Sequence, residues 1–458
     1  MRQTSRLSLL AGAVVGISGS ALAESGQAWS NADEVRALVS EMSADAETRS
    51  SLLQSGGTSG HDGRHFFLGS ADGNFRLEVS GQIQFRYYLN FRDDNDNNGD
   101  GLSEDDFESG FQTRRTKLFF EGHAFDPNLF YRLSGNFYDD TSGAGGGDGD
   151  LKLEDAFAGY RWDNGFSFMW GQFKLPFMRE ELVSSAYQLA AERSGTNDIY
   201  SQGRSQGIQL GYESEDFRLA VAFSDGFNSE NSEFSSPRGI TVTGFPNSGE
   251  ADYAFTARGE IKFAGNWDQF QDFTSMPGSD YAVMLGIAGH LEGGDSSSSA
   301  FTGGDYNFYG WTADISVEGD GWNFFIAGVG EYSDYADADL NGDGVSEGDV
   351  NFGDYGLVAQ FGIFIPDTDW EPFLRYDLTA PDTDERNLNS DAEYFNTLTF
   401  GVNYYMYGHA SKFTADVVWY IDAVGDNALG GVPNTGSGYL TDDDENELAF
   451  RLQWQLLF

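Results

Sequence analysis

From Phe75 onward the chain alternates, in segments too long for an ordinary sheet. In FRLEVSGQIQFRYYLNF, Phe75, Leu77, Val79, Ile83, Phe85, Tyr87, Leu89 and Phe91 share one parity, broken only by Gly81. Arg76, Glu78, Ser80, Gln82, Gln84, Arg86, Tyr88 and Asn90 share the other. A period of two sends successive side chains to opposite faces of a strand, so one face is apolar and the other polar. About sixteen such segments succeed one another as far as 446–458, most of them ten residues or longer. That length suits a tilted strand crossing a bilayer better than a globular strand. No later stretch has 18 consecutive apolar residues, so if the chain crosses a membrane it does so with strands. Their backbone groups are all satisfied only when the sheet closes on itself.

The connections sharpen the expectation. Long ones at 92–110, 139–150 and 178–204 alternate with tight turns at Asp126-Pro127-Asn128 and Asp163-Asn164, and the rhythm continues with Gly319-Asp320-Gly321 and Gly408-His409-Ala410. Only 265–279 is longer than its class predicts. Short turns at one rim and long loops at the other mark a barrel of the outer-membrane type. The expected fold is all-β: a sixteen-stranded antiparallel transmembrane barrel with a short N-terminal helical arm. Sixteen strands enclose water, whereas about eight are filled by side chains.

The last segment, ELAFRLQWQLLF, places Leu448, Phe450, Leu452, Trp454, Leu456 and Phe458 on the lipid face and Arg451, Gln453 and Gln455 on the lumen face. An aromatic carboxyl terminus after such alternation resembles the sorting signal of bacterial outer-membrane barrels. At the other end, Arg2 and Arg6, an apolar run from Leu7 to Ile17 and Ala21-Leu22-Ala23 make an export signal, so residues 1–23 are expected to be removed. Residues 24–63 read as an arm and linker in the periplasm: Val35, Leu38, Val39 and Met42 form a helical stripe, and Gly56–Gly63 reads as a linker. Residues 64–458 are assigned to the barrel.

Composition excludes several functions. There is no cysteine, hence no disulfide framework and no thiolate chemistry. A formal charge of −47 argues against nucleic acid, whose phosphates need a basic face. The one enzyme-like motif, Gly203-Arg204-Ser205-Gln206-Gly207, fits G-x-S-x-G but opens a strand rather than a strand–turn–helix elbow. No catalytic residue and no required cofactor are expected.

The third long connection, MREELVSSAYQLAAERSGTNDIYSQGR, is the candidate constriction, with Arg179, Arg193 and Arg204 as its cations. By parity Arg115 and Lys117 of TRRTK face the lumen, as do Arg86, Arg132, Arg258, Arg375 and Arg451. Glu78, Glu260, Glu292, Asp314, Glu318, Asp377 and Asp416 share that lining. A basic lining draws anions, and arginine matches phosphate geometry.

GFQTRRTKLFFEGHAFDPNLFYRL, Gly110–Leu133, and GQFKLPFMREEL, Gly171–Leu182, resemble the phosphate-selective porin O and P family, and the likeness runs across Phe75–Phe458. The arm around Val35–Leu53 is similar to that of some members. The resemblance implies a homotrimeric outer-membrane porin that passes phosphate or polyphosphate by diffusion. It carries the pore role to Arg115, Lys117 and Arg179, and to Lys174 within the same stretch. The acidic part of the lining departs from the family's basic channel.

Two outer loops carry calcium-like spacing. Asp94, Asp96, Asn98 and Asp100, with Gly99 at the turn, fit D-x-[DN]-x-[DN]-G, although the twelfth position is Asp105. Asp339, Asn341 and Asp343, with Gly344 at the turn, repeat part of it. Either could hold calcium. The alternative to a solute channel is a calcium-dependent surface adhesion or structural barrel.

Overall fold

The structure, a computed structural model, describes residues 57–63, 65–91, 107–137, 151–227, 229–231, 251–295, 305–338, 348–382, 393–423 and 445–458. Two short strands, β1 (Thr58–His61) and β2 (Phe66–Gly69), precede the barrel. The barrel strands are β3 (Arg76–Phe91), β4 (Phe107–Ala124), β5 (Asp126–Asn136), β6 (Lys152–Arg161), β7 (Phe166–Lys174), β8 (Arg204–Glu213), β9 (Phe217–Ser224) and β10 (Tyr253–Ala264). They continue as β11 (Ala282–Asp295), β12 (Asp305–Gly319), β13 (Trp322–Ala338), β14 (Gly348–Ile363), β15 (Trp370–Ala380), β16 (Phe395–Tyr405), β17 (Ser411–Tyr420) and β18 (Glu447–Leu457). Each pairs antiparallel with the next, and β18 closes on β3 from Leu448↔Phe91 to Leu457↔Gln82. The sixteen-stranded closed barrel is therefore as the alternation predicts.

Several strand boundaries differ from the sequence reading, two of them most clearly. β4 begins at Phe107 and β14 at Gly348, so both hairpins extend further toward the long loops. The linker expected at Gly56–Gly63 contains β1, and β2 pairs with the start of β3, Phe66↔Val79 to Gly69↔Arg76. The export signal and the helical stripe lie outside the described residues, as do both calcium-like loops, Asp94–Asp100 and Asp339–Asp343.

The two faces separate as a barrel in lipid requires. On β18, Leu452, Trp454 and Leu456 are exposed, whereas Arg451, Gln453 and Gln455 are buried. The interruption at Gly81 has a packing reason. A Cβ there would stand 2.5 Å from the Phe458 ring. The Phe458 carbonyl accepts from Gly81 N at 2.7 Å, and Phe458 N donates back to Gly81 O at 3.1 Å. The missing side chain in the apolar row of β3 makes room for the carboxyl-terminal ring at the seam where the barrel closes.

The lumen is partly filled from both rims. From the long-loop side, residues 175–203 fold inward as α1 (Arg179–Leu182), a 3-10 turn (Ser185–Tyr187) and α2 (Gly195–Tyr200). Ser184 and Ser194 cap the second and third of these through Ala186 N (3.3 Å) and Asn197 N (3.0 Å). From the short-turn side, the overlong connection after β10 forms a 3-10 turn (Trp267–Gln271) and sends Phe273 inward. The Phe273 ring lies 4.8 Å from that of Phe325, and its N–H donates to Tyr187 O at 3.2 Å.

These two insertions bury an apolar seam against one part of the wall. Val183, Leu189, Ala190 and Phe273 pack on Phe325, Ala327, Val358 and Phe373 of β13–β15. Phe177, Met178, Ile199 and Tyr200 pack on inward residues of β11, β13 and β16–β18, among them Val329, Phe395 and Val418. Burial of this area provides the hydrophobic stabilisation that holds a loop inside a water-filled barrel.

Candidate functional site: the inward loop and the passage beside it

One carboxylate fixes the loop to β3 and β4. Glu192 is almost fully buried and meets three guanidiniums: Arg114 Nε and Arg115 Nη2, each at 2.7 Å, and Arg86 Nη2. Burial alone would raise its pKa, yet Arg114, Arg115 and Arg86 hold it well below the usual carboxylate range. The backbone is held too. Arg375 donates to Glu192 O at 2.7 Å, and Asp416, itself paired with Arg451, accepts from Ala191 N at 2.9 Å.

Arg114 reaches this cluster because of a bulge. Gln84 faces Arg115 while Phe85 faces Thr113, so β4 has one residue too many. An extra residue breaks the strict alternation, and the adjacent Arg114 and Arg115 both turn inward. The same device recurs on β6. Leu133 faces Ala156 and Gly135 faces Leu153, and the adjacent Glu154 and Asp155 are both buried.

Between the loop and strands β4–β8 lies a cavity of about 300 Å³. Its charged lining is Lys117, Arg132, Lys174, Arg193 and Arg204 with Glu154, Asp155 and Glu181, five cations to three carboxylates. They interlock. Lys117 pairs with Glu154; Arg204 meets Asp155 at 2.7 Å and Glu154 at 3.5 Å; Arg132 meets Asp155 at 3.1 Å. On the loop side Glu181 accepts from Lys174 at 2.9 Å and lies 3.3 Å from Arg193. Burial would raise Glu181, but Arg193 and Lys174 keep it below its usual range.

The expected pore residues thus divide. Lys117, Lys174, Arg193 and Arg204 line this cavity. Arg115 instead anchors the loop through Glu192. Arg179 lies on the filled side, donating to Ser316 Oγ at 2.8 Å with its guanidinium 5.2 Å from the Phe273 ring centre. Further inward charges neutralise one another, as in Arg258–Asp314 (2.8 Å) and Arg451–Asp416 (2.7 Å). Arg114 and the paired inward position of Glu154 and Asp155 escaped parity counting. The only sequence trace of the bulges is two like charges in succession.

Among the described residues one trio could offer metal ligands, Asp62, His65 and Glu78, but Arg76 bridges Asp62 (2.6 Å) and Glu78. Ser205 is an inward strand residue of β8 with its Oγ 2.6 Å from Ser229 Oγ. The elbow that G-x-S-x-G requires is not found at that position.

The sequence profile of the phosphate-selective porin O and P family matches residues 82–258. That span includes the three arginines of the clamp, the whole inward loop and the charged lining of the passage. No curated protein matches the chain. Among solved structures, the fold is similar to an anion-selective porin from Comamonas acidovorans, at 12% identity, 83% coverage of this chain, 99% of that one and a TM-score of 0.51. It is also similar to outer-membrane expressed OmpT of Vibrio cholerae, at 9% identity, 84% and 98% coverage and a TM-score of 0.50. At such identities these neighbours speak for the fold alone. With the family match and a closed, lipid-belted barrel together, the chain is a bacterial outer-membrane porin whose residues 82–258 are similar to the phosphate-selective porin O and P family.

Proposed function

We propose that the protein passes small hydrophilic anions, phosphate among them, by diffusion through the passage between the inward loop and β4–β8. The observation that carries this is the excess of cations over carboxylates in that lining. An excess of one sign inside a low-dielectric wall focuses the field and enriches the opposite ion. Because each cation of the lining has a carboxylate neighbour, the preference is moderate, below that of a wholly basic channel. The family resemblance supports a homotrimer as the working assembly.

Reversal potential in a potassium chloride gradient across a planar bilayer tests this. The wild-type chain should favour chloride. Lys117→Gln or Arg204→Gln should each shift the potential toward potassium, whereas a cation-selective wild type, or variants with an unchanged potential, would refute the proposal.

A further inference from the structure

The passage is not polar throughout. Phe119 lies two residues beyond Lys117 on β4, and Phe157 two beyond Asp155 on β6, so each strand carries a charge and then a ring on its lumen face. Both rings line the cavity, as do Met169 of β7 and Leu182 of α1. All four are only half-buried, unlike Phe173 of the same lining, which is sealed. Arg132 stands where the two zones meet, with its guanidinium 5.1 Å from the Phe119 ring centre and its Nε 3.1 Å from Asp155. The strip extends toward the short-turn rim, where the Phe130 and Phe157 rings lie 6.4 Å apart and Arg161 sits 4.2 Å over Phe130.

Apolar side chains left half-open to a water-filled lumen do nothing for a bare inorganic ion. They suit a solute that has an apolar body as well as a negative charge. The guanidinium fork binds a carboxylate in its own plane, and aromatic edges and faces take a flat ring. We propose that the passage holds a binding site for small aromatic carboxylates, with the carboxylate among Lys117, Arg132 and Arg204 and the ring against Phe119, Phe157 and Met169. The site rests on the anion-conducting passage proposed above.

The test is block of chloride current through the full-length chain in a planar bilayer by benzoate, acetate and inorganic phosphate. Benzoate should half-block at a concentration roughly tenfold below that of acetate, the scale of one aromatic contact. Phe119→Leu with Phe157→Leu, which keeps apolar side chains and removes the rings, should erase that difference and leave acetate unchanged. Equal block by benzoate and acetate in a chloride-selective wild type would overturn the site and leave the anion passage standing. A cation-selective wild type would remove both. Block by phosphate alone would also count against the aromatic site.

Discussion

Glu192 is a single carboxylate held by three guanidiniums, so its loss leaves charges uncompensated in a buried place. Glu192→Gln should cost about 3–5 kcal/mol of loop anchoring, the usual scale for breaking one side of a buried ion pair. The barrel wall, held by its own ladders, should persist. Single-channel recording should then show a noisier and less uniform open level than wild type. The pH dependence has a definite sign. A carboxyl whose folded pKa is depressed contributes stability that is fully present above its unfolded pKa of about 4.3. That stability is lost only as the pH falls through the lower folded value. The Glu192 clamp should therefore still hold at about pH 4, and a Glu192→Gln-like noise pattern emerging in wild type above that pH would contradict the assignment. At this scale the sequence was legible only in part. Parity placed Lys117 on the inward face because β4 runs regularly beyond its bulge, whereas Arg204 was singled out only as a cation of the third connection and turns out to open β8. It missed Arg114 because a bulge cannot be seen in an alternation that looks unbroken from either side. It also could not tell an anchoring Arg115 from a conducting one, since both face inward.

At the scale of elements, the connection from Gly265 to Tyr281 acts as a prop. Phe273 packs on Phe325, Thr274 Oγ1 meets the Tyr405 hydroxyl at 2.9 Å, and the Asp272 carbonyl accepts from Arg179 at 3.4 Å. His409, on the turn before β17, adds a ring contact with Tyr187 at 5.0 Å and lies 3.5 Å from Asp272. Phe273→Ala removes the ring at the centre of this junction, at a cost of about 3–5 kcal/mol. The inward loop should then move away from β13–β15, and single-channel conductance should rise. Unchanged conductance in a folded Phe273→Ala barrel would show that the prop does not set the passage. The strands themselves were readable because a helix cannot keep an apolar face at every second residue over ten residues, whereas an extended strand does so by its geometry. The prop left a weaker trace, a turn too long for its rim. The filled side left another, since Phe325, Ala327 and Val329 alternate with outward Phe324 and Ile326 and so put apolar residues on a face meant for water.

For the whole molecule, a closed sheet, an apolar belt and a loop drawn inward follow from one requirement. Every backbone group must be paired in lipid, and something must narrow what would otherwise be a wide hole. The two insertions fill the lumen against β11–β18, and the charged cavity proposed as the passage lies against β4–β8. This lopsided arrangement is a tertiary property. It depends on which wall the loop packs against, which no local pattern specifies. The absence of cysteine makes it directly testable, because a single introduced thiol is the only target for a thiol reagent. Ser184→Cys lines the passage and Val329→Cys lies beneath the apolar seam. Addition of a bulky, charged methanethiosulfonate during planar-bilayer recording should block current through Ser184→Cys and leave Val329→Cys unaffected. Block of Val329→Cys with Ser184→Cys unaffected would place the conducting path on the other side of the loop and contradict the account.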